Sequence, residues 1–236
     1  MKKIFLIIFF FIISTNVNST TFEMSDCDIS SGRVKTILQN NTEYKQFVLN
    51  NKDIGCWSGD KRPRHGAPYW ERIEYAQRET LLKNKRHVIE FNIKIEEGFK
   101  GERETFFQIH NYTNSNLNVY PSLMLKFDSG MLKVDFLKNE YSHVNEYVKK
   151  NAKLRDVENY YNKFHNFKII LSNLNEENSF GLITIFVNGD KIFSEYPTFF
   201  PSAGTPRIKY GIYRPGNENG NNTSKILYSS IEVTSK

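Results

Sequence analysis

Short segments in which apolar and polar residues alternate constrain the fold of this chain most strongly. The pattern is clearest in His87–Ile95, where apolar residues occupy every second position from Ile89 to Ile95. Because successive side chains on a strand point to opposite faces of a sheet, such a segment buries one face and exposes the other. Eight further segments have the same character and are predicted to be strands: Thr105–His110, Ser122–Phe127, Met131–Leu137, Phe167–Leu171, Leu182–Val187, Lys191–Tyr196, Arg207–Tyr213 and Ile226–Val233.

Turn-forming residues lie between these segments. Asn188-Gly189, flanked by two of the predicted strands, predicts a two-residue β-hairpin. Many short antiparallel strands in one chain predict an all-β sandwich or jelly roll of two antiparallel sheets, which removes most exposed strand edges. Helix is expected in only two places, a polar excursion within His143–Tyr161 and a short segment within Ser31–Leu49.

Residues 1–19 have the composition of a signal peptide. Lys2 and Lys3 precede the apolar run Ile4–Ile13, which is too short to span a bilayer, and the polar stretch that follows ends in Ser19, a small residue suited to signal peptidase. A buried first strand and a membrane anchor are the alternatives. The signal peptide implies a bacterial protein that is secreted or periplasmic, with no membrane attachment after cleavage. Residues 20–236 then suffice for a single domain with a sizeable core.

The composition excludes several classes of protein. Apolar residues make up 39% of the chain and aromatic residues 14%, which is too many for a disordered chain. The formal net charge of +6 falls by two when Lys2 and Lys3 leave with the signal peptide. A modest positive charge suits an anionic ligand, but it is too small to indicate nucleic acid as a partner.

The two cysteines, Cys27 and Cys56, predict one disulfide in an exported chain. Two free buried thiols are the alternative. Neither cysteine belongs to a Cys-x-x-Cys motif, and no histidine lies at ligand spacing from either of them. A zinc site is therefore not expected.

Three stretches place chemically useful side chains on predicted strands, and Phe106–His110 is the first. Alternation puts Phe106, Gln108 and His110 on one face and leaves the other face apolar. An amide and an imidazole on one face suit a catalytic or binding surface. A solvated outer face is the simpler explanation of this stretch when it is taken alone.

The second stretch, Arg207–Arg214, places Arg207, Lys209, Gly211 and Tyr213 on one face. Two cations, a phenol and a glycine do not form a packing pattern. Glycine weakens a strand unless something approaches its backbone closely, and a polymer that lies flat across the strand would do so. An exposed polar face is the alternative.

The third stretch puts Arg72 and Glu74 on one face if Trp70–Tyr75 forms a strand. Glu74 would then hold the guanidinium of Arg72 in a fixed orientation, or the two would form an ordinary surface salt bridge. The basic run just upstream, which includes Arg64 and His65, is expected to be either the rim of an anionic groove or a solvated loop.

Together, the three stretches resemble the motifs of jelly-roll polysaccharide lyases. Family 7 alginate lyases carry Arg-x-Glu, Gln-[Ile/Val]-His and Tyr-x-Lys-x-Gly-x-Tyr on strands that line one concave face, and heparin-lyase-I-like and glucuronan-lyase-like enzymes share the fold and versions of the last two motifs. Here the same order is found in Arg72-Ile73-Glu74, Gln108-Ile109-His110 and Lys209-Tyr210-Gly211-Ile212-Tyr213. The ending Gly-Ile-Tyr-Arg is closer to the heparin- and glucuronan-lyase version.

The resemblance implies a concanavalin-like β-jelly roll and an enzyme that cleaves a uronic-acid-containing anionic polysaccharide by β-elimination. It assigns catalysis to Gln108, His110 and Tyr213, with His110 or Tyr213 as the base and Tyr213 as the acid. Lys209, on the same face, would lower the pKa of the Tyr213 phenol. Substrate binding is expected of Arg72, Lys209, Glu74, Arg207, Arg64 and His65. No cofactor is required, the resemblance allows a structural calcium ion, and we expect a monomer.

Two other functions are compatible with a β-sandwich. A glycoside hydrolase would need two carboxylates that flank the scissile bond, and the predicted strands offer no suitable pair. A non-catalytic carbohydrate-binding module of the lectin or laminin-G kind shares the architecture. Such a module has no need for a histidine and a tyrosine beside an amide that could bind a carboxylate.

Overall fold

The computed structural model is a sandwich of two antiparallel β-sheets that face each other across an aromatic core. This architecture confirms the prediction of an all-β jelly roll. The residues that the structure describes are 20–24, 28, 31–81, 85–96, 98–99, 102–112, 121–137, 147–150, 156–172, 181–195, 205–220 and 222–236. The predicted signal peptide, residues 1–19, and Cys27 lie outside this range, so the signal peptide and the pairing of Cys27 with Cys56 stay predictions.

The described elements are nearly all strands. One 3₁₀ helix, Val157–Tyr160, lies between the ninth and tenth of them. In chain order the strands are β1 (Phe22–Met24), β2 (Val34–Gln39), β3 (Thr42–Leu49), β4 (Trp70–Gln77), β5 (His87–Ile95), β6 (Glu104–Tyr112), β7 (Leu123–Asp128), β8 (Met131–Leu137), β9 (Tyr147–Lys150), β10 (His165–Ser172), β11 (Leu182–Val187), β12 (Asp190–Glu195), β13 (Thr205–Pro215), β14 (Ser224–Tyr228) and β15 (Glu232–Ser235).

The strands form two sheets with many crossovers between them. Sheet A has the order β1-β4-β13-β6-β7-β8-β9, and sheet B has the order β12-β11-β10-β5-β14-β3-β2, with β15 also paired to β5. Strands that are neighbours in sheet A, such as β4, β13 and β6, are far apart in the sequence. No described helix is long and apolar enough to cross a membrane.

The inner faces of the two sheets meet in a core dominated by phenylalanine. Phe91 of sheet B stacks on Phe107 of sheet A with ring centroids 5.1 Å apart, and on Phe167 of its own sheet at 5.5 Å. Along β5 the burial alternates without interruption, with Ile89, Phe91, Ile93 and Ile95 all buried. This confirms the period-2 pattern from which β5 was predicted.

The predicted hairpin at Asn188-Gly189 is present and joins β11 to β12. Both residues have positive φ, 52° and 86°, as the two central positions of a type I′ turn require. An unpredicted hairpin of the same kind joins β2 to β3 through Asn40 and Asn41, whose φ angles are 50° and 59°.

The expectation of a helix within Ser31–Leu49 is therefore wrong, because these residues form the β2–β3 hairpin. Asparagine tolerates positive φ, so the Asn40-Asn41 pair is itself a hairpin signal. The helical excursion expected within His143–Tyr161 is also wrong for the part that is described, which consists of β9 and the 3₁₀ helix. The segment Ile226–Val233, predicted as one strand, is divided into β14 and β15, which pair with successive parts of β5.

Strand β6 departs from simple alternation at Phe106. The register of β6 against β7 shifts between Thr105 and Phe107, so Phe106 is the extra residue of a β-bulge. Phe106 and Phe107 both point into the core and are fully buried, whereas Phe106 was predicted to share the outer face with Gln108 and His110. The hydroxyl of Tyr228, from sheet B, donates to the carbonyl oxygen of Phe106 and holds the bulge in place.

A buried ion cluster fixes the end of β13. The guanidinium of Arg214 donates from Nε to Glu71 at 2.6 Å and from Nη1 to Glu104 at 3.0 Å and to Ser224 at 2.6 Å. All four residues are at most 3% exposed. These bonds join β13 to β4 and β6 in sheet A and to β14 in sheet B. Removing one partner from a buried cluster of this kind typically costs about 3–5 kcal/mol.

We expect Gly211→Ala to destabilise the fold severely. Gly211 has φ +143°, and a Cβ at this position would lie 2.1 Å from the carbonyl oxygen of Ile73 on β4. Backbone strain and the forced separation of two paired strands should together cost about 3 kcal/mol or more. Gly130 is the matched control, because it also has positive φ (+73°) but has no atom within 4 Å of the added Cβ.

Equilibrium unfolding in urea measures both variants. Gly130→Ala should lose only about 1–2 kcal/mol, the usual strain of a non-glycine residue in a left-handed conformation. Equal losses in the two variants would contradict the role given to the close approach of β4.

Candidate active site

The outer face of sheet A gathers the side chains of all three stretches that the sequence singled out. Strand β13 lies between β4 and β6, and its outer residues alternate with the core residues Ile208, Tyr210 and Ile212. The register places Arg72 opposite Tyr213, Glu74 opposite Gly211, Gln108 opposite Lys209 and His110 opposite Arg207. The predicted site residues on these three strands therefore occupy one continuous surface.

Gly211 lies at the centre of this surface. The atoms that approach its backbone are Ile73 O and the Cα of Glu74, both on β4. A neighbouring strand, rather than the polymer suggested by the sequence, therefore explains the glycine. Groups from the two flanking strands meet in the space above Gly211.

Glu74 and Gln108 meet across this space. The Gln108 Nε2 group donates to Glu74 Oε1 at 2.6 Å, and both residues are buried. The other carboxylate oxygen of Glu74 lies 3.6 Å from Arg72 Nε. Glu74 therefore binds the amide by a hydrogen bond through one oxygen and forms an ion pair with the guanidinium through the other, which goes beyond the Arg72 pairing predicted from the sequence. One N–H of the Gln108 amide is left to donate elsewhere.

Asp60, a buried carboxylate that no sequence pattern predicted, binds two arginines of the site. Its Oδ1 atom accepts from Arg64 Nη2 and from Arg72 Nη2, each at 3.0 Å, and the residue is only 1% exposed. Burial raises the pKa of Asp60 above its usual range, and the two guanidinium groups act in the opposite direction. The loop 51–68 thereby carries Arg64 onto the surface formed by the three strands.

Tyr213 is held by aromatic and cationic neighbours. Its ring stacks on Trp70 with centroids 4.8 Å apart, and the Arg72 guanidinium carbon lies 4.4 Å from its ring centroid. Arg64 Nη2 donates to the phenolic oxygen at 2.6 Å. Burial raises the pKa of Tyr213, while Arg72 and then Arg64 lower it.

Lys209 lies at the other side of Gly211. Its Nζ is 5.5 Å from the ring centroid of Trp57, and the residue is 5% exposed although Trp57 itself is exposed. Burial is the main reason that the pKa of Lys209 is lowered to about 8, with Glu74 opposing this change. Lys209 and Tyr213 are four residues apart on β13, which is about 13 Å at the usual rise of a strand. The cations that act on the Tyr213 phenol are therefore Arg72 and Arg64, whereas the sequence pointed to Lys209.

His110, Arg207 and His65 lie farther from Tyr213. His110 is half-buried and opposite Arg207, whereas Tyr213 lies opposite Thr105, five residues along β6 from His110, or about 17 Å of strand. His65 is exposed, has φ 51°, and contacts the edge of the Trp70 ring at a centroid distance of 6.2 Å. His65 therefore belongs to the rim at the Tyr213 end, and His110 and Arg207 belong to the opposite end.

A cavity of about 1030 Å³ opens beside Arg64 at the Tyr213 end of the surface. Its lining combines two arginines with three carboxylates, namely Arg64, Arg103, Glu102, Asp128 and Glu218. Among the described residues no group of three or more His, Cys, Asp or Glu side chains could hold a metal ion. The structural calcium ion that the resemblance allows stays a prediction.

Three residues of the site, Trp70, Asp60 and Trp57, were not predicted from the sequence. Trp70 could have been found, because it shares the outer face of β4 with Arg72 and Glu74 by simple alternation. Asp60 and Trp57 lie in an irregular loop where no periodicity applies. Their backbones are joined by a hydrogen bond from Asp60 N to Trp57 O of 2.9 Å.

Fold and site together define a carbohydrate-active class of protein, a β-sandwich with amide, guanidinium, ammonium and phenol groups on one outer sheet face. The chain belongs to the polysaccharide lyase family, because the model of that family matches residues 19–232. It is therefore a polysaccharide lyase, as the three motifs predicted. No curated protein matches the chain.

Solved structures of lyases share the fold at low sequence identity. Family 7 alginate lyase A1-II′, in a complex with substrate, has a TM-score of 0.60 and 13% identity, over 85% of this chain and 81% of its own. An alginate lyase from Pseudomonas aeruginosa has a TM-score of 0.54 and 14% identity, over 85% and 86%. The endo-β-1,4-glucuronan lyase of the fungus Trichoderma reesei has a TM-score of 0.60 and 13% identity, over 93% and 91%.

We expect the Lys209 ammonium to titrate near pH 8, well below an ordinary lysine, and Trp57→Ala to move this midpoint upward. The reason is that burial lowers the pKa of Lys209 and the Trp57 ring provides part of the cover. NMR of ¹³Cε-labelled lysine measures the titration, and Lys209→Arg identifies the signal. Leu38→Ala, which removes an exposed apolar side chain of sheet B, is the control and should leave the midpoint unchanged. A midpoint above pH 10 in the unmodified protein would contradict the burial of this group.

Proposed function

We propose that this polysaccharide lyase cleaves a uronic-acid-containing anionic polysaccharide by β-elimination, with glucuronan, a heparin- or heparan-like polymer, or alginate as substrate. The observation that carries the proposal is the gathering of Arg72, Glu74, Gln108, Lys209 and Tyr213 around Gly211. The solved structures named above, which are alginate and glucuronan lyases, support two of these polymers.

The first requirement of β-elimination is to neutralise the uronate carboxylate. The proton at C5 is a very weak acid while the neighbouring carboxylate bears a full negative charge. Hydrogen-bond donors aimed at that group stabilise the aci-carboxylate that forms when the proton leaves, and each typically contributes about 2.7–4 kcal/mol. The remaining N–H of the Gln108 amide and the guanidinium of Arg72 suit this role, because Glu74 holds both groups in place.

The second requirement is a base for the C5 proton and an acid for O4 of the leaving sugar. Tyr213 lies next to Arg72, so its phenol is beside the group proposed to bind the carboxylate. The phenolate accepts the C5 proton, the C4–C5 double bond forms as the C4–O4 bond breaks, and the phenol returns the proton to O4. About 17 Å of strand β6 separates His110 from Thr105, the residue opposite Tyr213, which favours one phenol in both roles and His110 as a contact for a neighbouring sugar.

The carboxylates of the site do not suit a glycoside hydrolase. Asp60 is 1% exposed and bound to two arginines, and Glu74 is buried against Gln108 and Arg72. Neither is in a position to protonate a glycosidic oxygen or to attack a sugar. A non-catalytic binding module would leave the phenol of Tyr213, with a cation bound to its oxygen, without a role.

Incubation with glucuronan, heparin, heparan sulfate, alginate and pectin tests the proposal. Cleavage by elimination produces an unsaturated sugar end that absorbs ultraviolet light, whereas hydrolysis produces reducing ends without that absorbance. We expect ultraviolet-absorbing ends from at least one polymer that contains uronate. Binding to such polymers without any cleavage would favour the binding module instead.

We expect Tyr213→Phe to abolish the formation of unsaturated ends on every polymer that is cleaved. The variant keeps the ring that stacks on Trp70, so the fold should persist, while the loss of the proton-transferring hydroxyl should reduce kcat by about 100-fold or more. Circular dichroism and the rate of absorbance gain measure the two effects. Tyr44→Phe, on sheet B, is the matched control and should retain full activity. Full activity in the Tyr213 variant would overturn the assigned role.

For His110→Ala we expect a larger effect on KM than on kcat. The imidazole lies at the Arg207 end of the surface, where it can contact a neighbouring sugar of the polymer. Steady-state kinetics on the best substrate separates the two constants. A loss of kcat as large as that of Tyr213→Phe, with KM unchanged, would instead identify His110 as the base.

A further inference from the structure

One cation that donates to the phenolic oxygen of Tyr213 comes from the loop that precedes β4. Arg64 Nη2 lies 2.6 Å from this oxygen and donates to it. We propose that Arg64 is a catalytic residue that stabilises the Tyr213 phenolate, and that Asp60 is the positioning residue that holds Arg64 there. This inference rests on the proposed function and adds to it the group that makes a buried phenol usable as a base.

A cation on the phenolic oxygen has two consequences for proton transfer. It stabilises the negative charge that the oxygen carries before it accepts the C5 proton, because an opposite charge favours the ionised form. It also occupies one acceptor position of the phenolic oxygen, so the phenolic proton points away from Arg64, toward a substrate. Arg72 lies over the face of the ring and also interacts with the phenol from β4, while Arg64 donates to the phenolic oxygen from the loop, so both arginines favour the phenolate.

Asp60 is built into the loop in a way that fixes its carboxylate. Its backbone N–H donates to Trp57 O at 2.9 Å, and its carbonyl oxygen accepts from the N–H of Trp70, the first residue of β4, at 2.8 Å. Gly55 leaves room for the side chain, since a Cβ at residue 55 would lie 2.3 Å from Asp60 Oδ2. The carboxylate is therefore a rigid anchor, and the Arg64 side chain, 38% exposed, depends on it for its orientation.

The sequence suggested a different role for Arg64, as part of the rim that attracts an anionic polymer. The two roles predict different results when Arg64 is replaced by alanine. A rim residue contributes to binding, so its loss raises KM and leaves the titration of Tyr213 nearly unchanged. The loss of a residue that stabilises the phenolate lowers kcat and raises the pKa of Tyr213.

The first experiment measures the titration of Tyr213 without any substrate. The phenolate absorbs near 295 nm, and the difference between the titrations of a protein and of its Tyr213→Phe counterpart isolates this one phenol. We expect Arg64→Ala to move the midpoint upward by about one pH unit or more. Arg62→Ala removes an exposed arginine of the same loop and should leave the midpoint unchanged. An unmoved midpoint in Arg64→Ala would overturn the proposal even if no cleaved polymer is found.

The second experiment uses the polymer that is cleaved. Arg64→Ala should lose about 100-fold in kcat, the usual effect of removing one donor to a developing charge, and the limb of the pH–rate profile that depends on Tyr213 should move to higher pH. Millimolar guanidinium chloride should restore part of this kcat. It should not restore the double variant Asp60→Asn/Arg64→Ala, because the carboxylate that would hold the added cation is absent.

The outcomes of the second experiment test the positioning role of Asp60 and the catalytic role of Arg64 separately. Equal rescue of the single and the double variant would show that Asp60 does not position the cation. A higher KM with unchanged kcat in Arg64→Ala would return Arg64 to the rim of the groove. If Tyr213→Phe itself remains fully active, the role proposed for Tyr213 in the reaction fails, and the titration still reports whether Arg64 acts on the phenol.

Discussion

The pairing of β13 with β4 on one edge and β6 on the other is the constraint on which the rest of the structure depends. It brings together residues that are far apart in the chain, such as Glu71 and Arg214, which are 143 positions apart. The register fixes which outer side chains are neighbours, so a slip of one residue would turn Lys209 and Tyr213 into the core. The buried Arg214 cluster beneath the surface and the bulge at Phe106 prevent such a slip, because both are bonded to the opposite sheet.

The site places cations where water is largely excluded, and two carboxylates lower the free-energy cost of burying these charges. Asp60 and Glu74 each contact Arg72, and the network continues to Arg64 on one side and to Gln108 on the other. A buried charge without a partner is expensive, so each guanidinium requires a nearby anion. Because these anions are already bound to protein groups, they orient the donors, and the free donors remain available to the uronate that we propose as substrate.

Much of this architecture could be predicted from local patterns, and the exceptions have physical causes. Period-2 alternation identified β5, β8, β11 and the outer face of β13. A strand that buries one face has an apolar residue at every second position, and this pattern is visible in the sequence. Phe106 was assigned to the wrong face because a bulge changes the phase of a strand without changing its composition. Asp60 was missed because its importance comes from contacts with residues on β4 and in its own loop. A loop has no period from which such contacts could be read.

The spacing of Lys209, Gly211 and Tyr213 also bears on the proposal that one phenol serves as both base and acid. About 13 Å of strand separates the ammonium from the phenol, and the Glu74–Gln108 hydrogen bond crosses β13 between them. A sugar ring above this bond would have the amide and the Arg72 guanidinium within reach of its carboxylate, and the phenol within reach of the bond that breaks. The imidazole of His110, one pair of residues beyond Gln108, would then lie beneath the next sugar. Proton removal and proton return by the same oxygen require both positions to be on one face of the ring, so this arrangement favours syn elimination.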